Sequence, residues 1–171
     1  MLESKRLLLC ETVLDDIDLY QEMYRCPIIT KYLPNEKPYS EEQISEYVSN
    51  RVNHWKKGFG TFTILERTTR EKIGYVGVET LTDPTKSDIR FGIISSKVGV
   101  GFAKEAALKC LSYTFNLGFH DEIYGASVRE NIASINTLKS IGMHKASGLN
   151  LYDCKGLDYF IVTRKNFDKF A

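Results

Sequence analysis

The chain has 171 residues, 43% of them apolar and 26% charged, with 23 Lys and Arg against 22 Asp and Glu for a net charge of +1. That length suits one domain spanning residues 1–171, because a chain of this size buries roughly 70% of its unfolded surface and needs no staples. The near-neutral balance argues against a nucleic-acid module working through a strong electrostatic footprint, and leaves small molecules or protein surfaces as partners.

In chain order, KRLLLCE reads as a strand over about Lys5 to Thr12. TVLDDIDLYQEMY reads as a helix: Thr12 can cap it, Asp15 and Asp16 favour its N-terminus, and Ile17, Tyr20 and Tyr24 recur at helical spacing. CPIITKYLPNEKP breaks the regularity with three prolines. A second helix starts at Ser40, where SEEQ is a capping box; its apolar face is Ile44, Tyr47, Val48, Val52 and Trp55, and Gly58 stops it. TFTILER, KIGYVGVETL and DIRFGII are three strands on short connections, hence an antiparallel meander. A third helix runs from about Gly101 to Leu117, burying Ala103, Ala106, Ala107, Cys110, Leu111 and Phe115 and closing at Gly118. EIYGASV is a strand, NIASINTLKSI a helix ended by Gly142, and KASGLNLY and LDYFIVTR are two final strands. The order β-α-α-β-β-β-α-β-α-β-β is a mixed α/β fold. It has about seven strands, mostly antiparallel, four helices, and one parallel crossover between Phe91 and Val128.

Cys10, Cys26, Cys110 and Cys154 form no C-x-x-C pair, and His54, His120 and His144 are scattered, so free thiols in a reducing compartment and no metal site are expected. MLESKRLLLCE is too short and too charged for a signal peptide, and no apolar run approaches the ~18 residues of a membrane span. A cytoplasmic monomer or homodimer, with neither membrane nor nucleic acid as partner, is the expectation.

SSKVGVGFAKEA, Ser95 to Ala106, follows a strand and opens a helix. Glycines here expose amides that lack intrahelical partners, at the positive end of the helix dipole, where a phosphate or pyrophosphate can reach them. Gly99 and Gly101 fit that use, with Lys97 and Lys104 adding charge; a tight strand-to-helix turn is the plainer explanation. A triphosphate P-loop fails because Gly101 is followed by Phe102 and Ala103, and a dinucleotide fingerprint lacks its third glycine.

KVGVGFAKEA resembles the pyrophosphate loop, Q/R-x-x-G-x-G/A, of the GNAT N-acetyltransferase superfamily. The resemblance covers nearly the whole chain: SKRLLLCE, KIGYVGV, SDIRFGII, RENIASINTLKSIGM and YDCKGLDYFIVTRKNF occur in the family's order. The nearest branch by this resemblance is the ribosomal-protein N-terminal acetyltransferase type. Ser96 stands where many members carry Gln or Arg, and Leu138 where many carry a catalytic tyrosine.

The resemblance implies acetyl transfer from acetyl-CoA to a primary amine, on a protein N-terminus or a small molecule, by direct aminolysis in a ternary complex and with no metal. It places pantetheine against backbone groups of Phe91, Ile93 and Ile94, a backbone amide there being the oxyanion donor. Phosphates would lie on amides of Val98, Gly99, Val100, Gly101, Phe102, Ala103 and Lys104. Asn131 and Ser134, one turn apart, would face the cofactor, Asn131 also capping its helix and Ser134 protonating the leaving thiolate. For the base, Glu79 and Asp88 are the acids on the central strands, close across a short loop; Glu79 is the favoured one, and solvated strand-end carboxylates are the alternative. Tyr32 and Trp55 pack in the core or shape the substrate mouth. Non-catalytic acyl-CoA binding by the same fold, and a nucleotide-binding module, are the competing functions.

Overall fold

The computed structural model describes residues 1–34, 36–152 and 156–170. Its eight strands form one sheet in the order β1-β2-β3-β4-β5-β6-β8-β7. They are β1 (Leu2–Glu3), β2 (Leu7–Glu11), β3 (Thr61–Glu66), β4 (Lys72–Thr80), β5 (Ser87–Ile93), β6 (Glu122–Val128), β7 (His144–Ala146) and β8 (Leu157–Thr163). The helices are α1 (Ile17–Arg25), α2 (Pro27–Thr30), α3 (Glu41–His54), α4 (Phe102–Asn116), α5 (Ile132–Ser140) and α6 (Arg164–Phe170). The expected mixed α/β fold is therefore present. The two-residue strand β1, the single turn α2 and the terminal α6 are the elements the sequence pattern did not announce.

Most pairs are antiparallel, and β3, β4 and β5 make the expected meander. Among the described residues the one parallel pair is β5 with β6, reached through α4. On one face lie α1 and α3: Tyr20 of α1 stacks on Tyr75 of β4 at 5.6 Å, and Arg51 of α3 sits 4.0 Å over the same ring. The other face carries α4 and α5. A Cβ on Gly125 of β6 would come within 2.8 Å of Leu138 of α5, so this glycine allows the close approach of helix to strand.

Local signals behaved as their chemistry requires in most places. Ser40 accepts from the Gln43 amide and Gln43 reaches back to Ser40, the expected capping box. Thr12 is not a cap. A 3₁₀ turn, Leu14–Asp16, precedes α1, and the Asp16 carboxylate takes the Val13 amide at 3.0 Å, while Thr12 is buried on Thr63. The expected strand KASGLNLY ends at Ala146, because Gly148 has φ +76° and turns the chain away. Trp55 donates to the Thr61 carbonyl at 2.8 Å and packs edge-on to Phe62, a core role; Tyr32 is half-buried beside Lys31. Cys10, Cys26 and Cys110 are free thiols; Cys154 lies outside the described residues. Among the described residues, no helix is long and apolar enough to cross a membrane.

Candidate active site

The glycine turn follows directly from β5. After a 3₁₀ turn at Ser95–Lys97 the chain extends at Val98, then takes φ +84° at Gly99 and +86° at Gly101, a region that side-chain-bearing residues avoid. Gly101 is the N-cap of α4 and supplies no capping side chain. The first intrahelical bond runs from the Glu105 amide to the Gly101 carbonyl, 3.1 Å, so the amides of Phe102, Ala103 and Lys104 have no partner within the helix. A Cβ at Gly99 would find no heavy atom within 4 Å, and Val98 and Val100 are 60% and 55% exposed. The turn therefore opens outward, with amides and dipole both suited to an anion.

Its charge does not come from Lys97. That ammonium is tied to Glu66 and Glu71 at 2.7 and 2.8 Å. Lys104 is exposed at the first turn of α4. Arg6, before β2, braces the turn from the side and is itself paired with Glu105. Its Nη1 donates to the Val100 carbonyl at 3.0 Å, its Nε to Glu105 at 2.7 Å, and its guanidinium lies 4.5 Å over the Phe102 ring.

Beside the turn the sheet splits. The parallel strands β5 and β6 share a single register pair, Asp88 with Tyr124, and diverge beyond it. The Ile94 amide donates to the Ile73 carbonyl at 2.9 Å, so alternation directs the backbone groups of Gly92 and Arg90 toward β4 as well. Phe91 and Ile93 then present their amides and carbonyls to the opening, whereas the Ile94 amide is already used. The expectation of backbone contacts thus narrows to Phe91 and Ile93.

At the closed end of the notch, on the α1/α3 face, Glu79 and Asp88 stand directly opposite each other across β4 and β5. Arg90 bridges them, Nη1 to Glu79 at 2.8 Å and Nε to Asp88 at 3.1 Å. Glu79 also takes the Thr61 hydroxyl at 2.5 Å and pairs with Arg51 at 3.5 Å. Arg51 is 2% exposed, held among the rings of Tyr20, Tyr47 and Tyr75; none of its guanidinium nitrogens has a hydrogen-bond partner among the described residues. Asp88 accepts a hydrogen bond from the Tyr152 hydroxyl, brought from the segment between β7 and β8.

These surroundings push the two acids apart. Burial alone would raise Glu79, but the charges of Arg51 and Arg90 and the Thr61 hydroxyl outweigh it and hold Glu79 below its ordinary value. Burial wins at Asp88 and raises its carboxyl, against the pull of Arg90 and the Tyr152 hydrogen bond. A base needs affinity for a proton near neutral pH. Of the two expected candidates, Asp88 is thus the carboxylate with the greater affinity for a proton and Glu79, the one favoured in the sequence, the lesser. Nearby, the Thr80 amide donates to Nε2 of His54 at 2.9 Å, which leaves Nδ1–H to donate to the Phe59 carbonyl and fixes a neutral ring. Among the described residues no three His, Cys, Asp or Glu side chains gather as a metal-ligating group.

The sequence profile of the acetyltransferase (GNAT) domain family matches residues 6–144. The chain belongs to this GNAT acetyltransferase family. It is 26% identical over 155 residues to an uncharacterized N-acetyltransferase, p20, of Bacillus licheniformis, covering 89% of this chain and 86% of that protein. Among solved structures, an acetyltransferase of Agrobacterium tumefaciens superposes with a TM-score of 0.86 at 18% identity, covering 95% of this chain and 94% of that one. The aminoglycoside acetyltransferase AAC(6')-Ib in complex with coenzyme A gives 0.79 at 16%, covering 95% and 98%. RimL, a ribosomal L7/L12 alpha-N-protein acetyltransferase in complex with coenzyme A, gives 0.78 at 13%, covering 94% and 95%. At these identities the structural likeness establishes the fold alone.

Within the GNAT fold, α5 begins after β6 as α4 does after β5, so the two helix N-termini share one end of the sheet. Asn131 is the N-cap of α5 and accepts from the Ser134 amide at 3.1 Å; Ser134 is half-buried. Leu138, where many GNAT members carry a tyrosine, is buried against Gly125. The sequence reading missed Arg90, Arg51, Tyr152 and Arg6. Arg90 was findable, two residues from Asp88 and so on the same face of a strand. Arg51 was findable too, a charge at helical spacing from Ile44, Tyr47 and Val48. Tyr152 and Arg6 carry no local signal, since each meets its partner across most of the fold.

Proposed function

We propose that this chain is an N-acetyltransferase that moves the acetyl group of acetyl-CoA to a primary amine by direct aminolysis, with residues 1–171 as one catalytic domain. The observation that carries the reading is the outward-opening glycine turn at the N-terminus of α4, set beside the point where β5 and β6 part. The residues present fit the cosubstrate. Bare backbone at Gly99 and Gly101 admits a pyrophosphate to the amides of Phe102, Ala103 and Lys104, and Phe91 and Ile93 offer an extended edge for pantetheine. Acetyl-CoA supplies the activated acyl group and a thiolate leaving group. Asn131 and Ser134 flank the same end of the sheet, and Ser134 is the proposed proton donor to the thiolate. Asp88 takes the proton from the amine, while Glu79, Arg51 and Arg90 hold it in place. The acceptor class is a protein N-terminus or a small-molecule amine. An aminoglycoside acetyltransferase of the same fold, solved with coenzyme A and kanamycin, supports including aminoglycosides among the candidates.

A second reading, acyl-CoA binding without catalysis, draws on Ser96 and on the buried Leu138. The test is amine-dependent release of free thiol from acetyl-CoA across a panel of peptides, aminoglycosides, polyamines and amino acids, with the product weighed by mass spectrometry. Thiol release with an acetylated amine supports the enzyme. CoA binding with no turnover on any amine supports the second reading. For the base, Asp88→Asn should lose about 100-fold or more in kcat/KM at neutral pH and recover at high pH, where the amine is already deprotonated. Glu79→Gln should lose stability without that recovery.

A further inference from the structure

We propose that the Tyr152 hydroxyl is the proton relay between the acceptor amine and Asp88. The inference rests on the reading of Asp88 as the base. Asp88 is 2% exposed, too deep for an amine to meet it directly, whereas Tyr152 is 38% exposed. Among the described residues, the Asp88 carboxylate has two hydrogen-bonding side chains: Arg90, at 3.1 and 3.4 Å from its two oxygens, and Tyr152. Arginine cannot carry the proton, because its guanidinium does not deprotonate in proteins. A phenol can, because it donates and accepts through one oxygen. Glu79 offers no second path: it is 8% exposed and engaged by Arg51, Arg90 and Thr61. Arg90 Nη2 also lies 3.4 Å from the Tyr152 oxygen, and its guanidinium 6.0 Å from the ring centre, which fixes the phenol over the carboxylate.

The step balances without any further reactant. An N–H bond of the ammonium breaks as an O–H bond forms on Tyr152, and the original Tyr152 O–H breaks as one forms on Asp88. The phenol ends neutral. The freed nitrogen lone pair forms the C–N bond to the acetyl carbon and the C–S bond breaks. The second amine proton goes to the departing thiolate, and Asp88 returns its proton to solvent through the same hydroxyl after product leaves. The relay also gives this chain a working hydroxyl from the β7–β8 segment, on the sheet face opposite the buried Leu138.

The alternative role for Tyr152 is a strap that only ties its segment to the sheet. The experiment compares wild type, Tyr152→Phe, Asp88→Asn and the double variant in pH–rate profiles. The acceptor is the fastest of kanamycin, spermidine and a serine-initiated peptide. The relay predicts that Tyr152→Phe loses about 100-fold or more in kcat/KM at neutral pH, recovers at high pH as Asp88→Asn does, and leaves the acetyl-CoA KM unchanged. The double variant should be no slower than the slower single one, because the two groups act as a unit. Rescue in Asp88→Asn but not in Tyr152→Phe, or a change confined to the amine KM, overturns the relay and leaves the base standing. Parallel profiles for all four proteins overturn the base and the relay together. Silence of wild type with all three amines counts against the acetyltransferase reading, and the relay falls with it.

Discussion

Substituting Gly101 by Glu separates the two jobs of the glycine turn. Gly101 has φ +86°, and an L-residue there costs about 1–2 kcal/mol in backbone strain. For a chain of this length that lowers Tm by about 2–8 °C. Steric crowding adds little, since the nearest atom to a new Cβ is Arg6 Nη2 at 3.6 Å. The new carboxylate would instead lie at the free amides of Phe102 to Lys104 and compete with Glu105 for Arg6. Blocking two charge-assisted hydrogen bonds to a pyrophosphate, each about 1.5–3 kcal/mol, weakens binding by about 3–6 kcal/mol, or about 150- to 20,000-fold. Gly118→Glu is the control. It has φ +83° and open space around it, at the far end of the same helix, so it pays the same strain and touches no ligand. Calorimetry with CoA and with pantetheine, which lacks the pyrophosphate, reads the difference. The expected result is a smaller loss of Tm in Gly101→Glu, whose carboxylate meets the positive end of α4, than in Gly118→Glu, whose carboxylate meets the negative end, with loss of CoA affinity only in Gly101→Glu and unchanged pantetheine affinity. Equal CoA affinity in Gly101→Glu and wild type would refute the assignment of the turn.

Three further outcomes follow from the same geometry. Arg6→Ala should weaken CoA binding by leaving Glu105 uncompensated beside the turn, and adding Glu105→Gln should restore part of the loss; a double variant as weak as Arg6→Ala would contradict this. Burial raises the Cys110 thiol to about 12, so thiol reagents should label the half-buried Cys10 and Cys26 in the native protein and Cys110 only on unfolding, as mass spectrometry of digests would report. Burial holds His54 and His120 below their ordinary value. The unfolded chain then binds more protons below about pH 6.5, so stability present above that pH is lost as the pH falls. Denaturation midpoints should drop across that window, and less so in His54→Gln.

Periodicity and caps made most of the fold legible, because they are local. Ser40 with Gln43, the stop at Gly58 and the alternation of β3 to β5 are each set within a few residues. The helix α6 was not legible, because its burial depends on Phe167 meeting Phe115 from a distant helix. The site divides the same way. Gly99 and Gly101 stand out in the sequence because a glycine pair opening a helix conflicts with helix propensity. Glu79 and Asp88 were found as neighbours, but the opposite directions in which their proton affinities are pushed were not. Those depend on Arg51 from α3 and Tyr152 from beyond β7, contacts that only the assembled sheet creates.

Titration of ¹⁵N-labelled protein with CoA would locate the cosubstrate residue by residue. The account predicts saturable shifts of the backbone amides from Val98 to Lys104, of Phe91 and Ile93, and of Asn131 to Ser134. Shifts confined to the depression of about 410 Å³ lined by Lys57, Phe59 and His120, at the opposite end of β5, would contradict it. So would no shift at all.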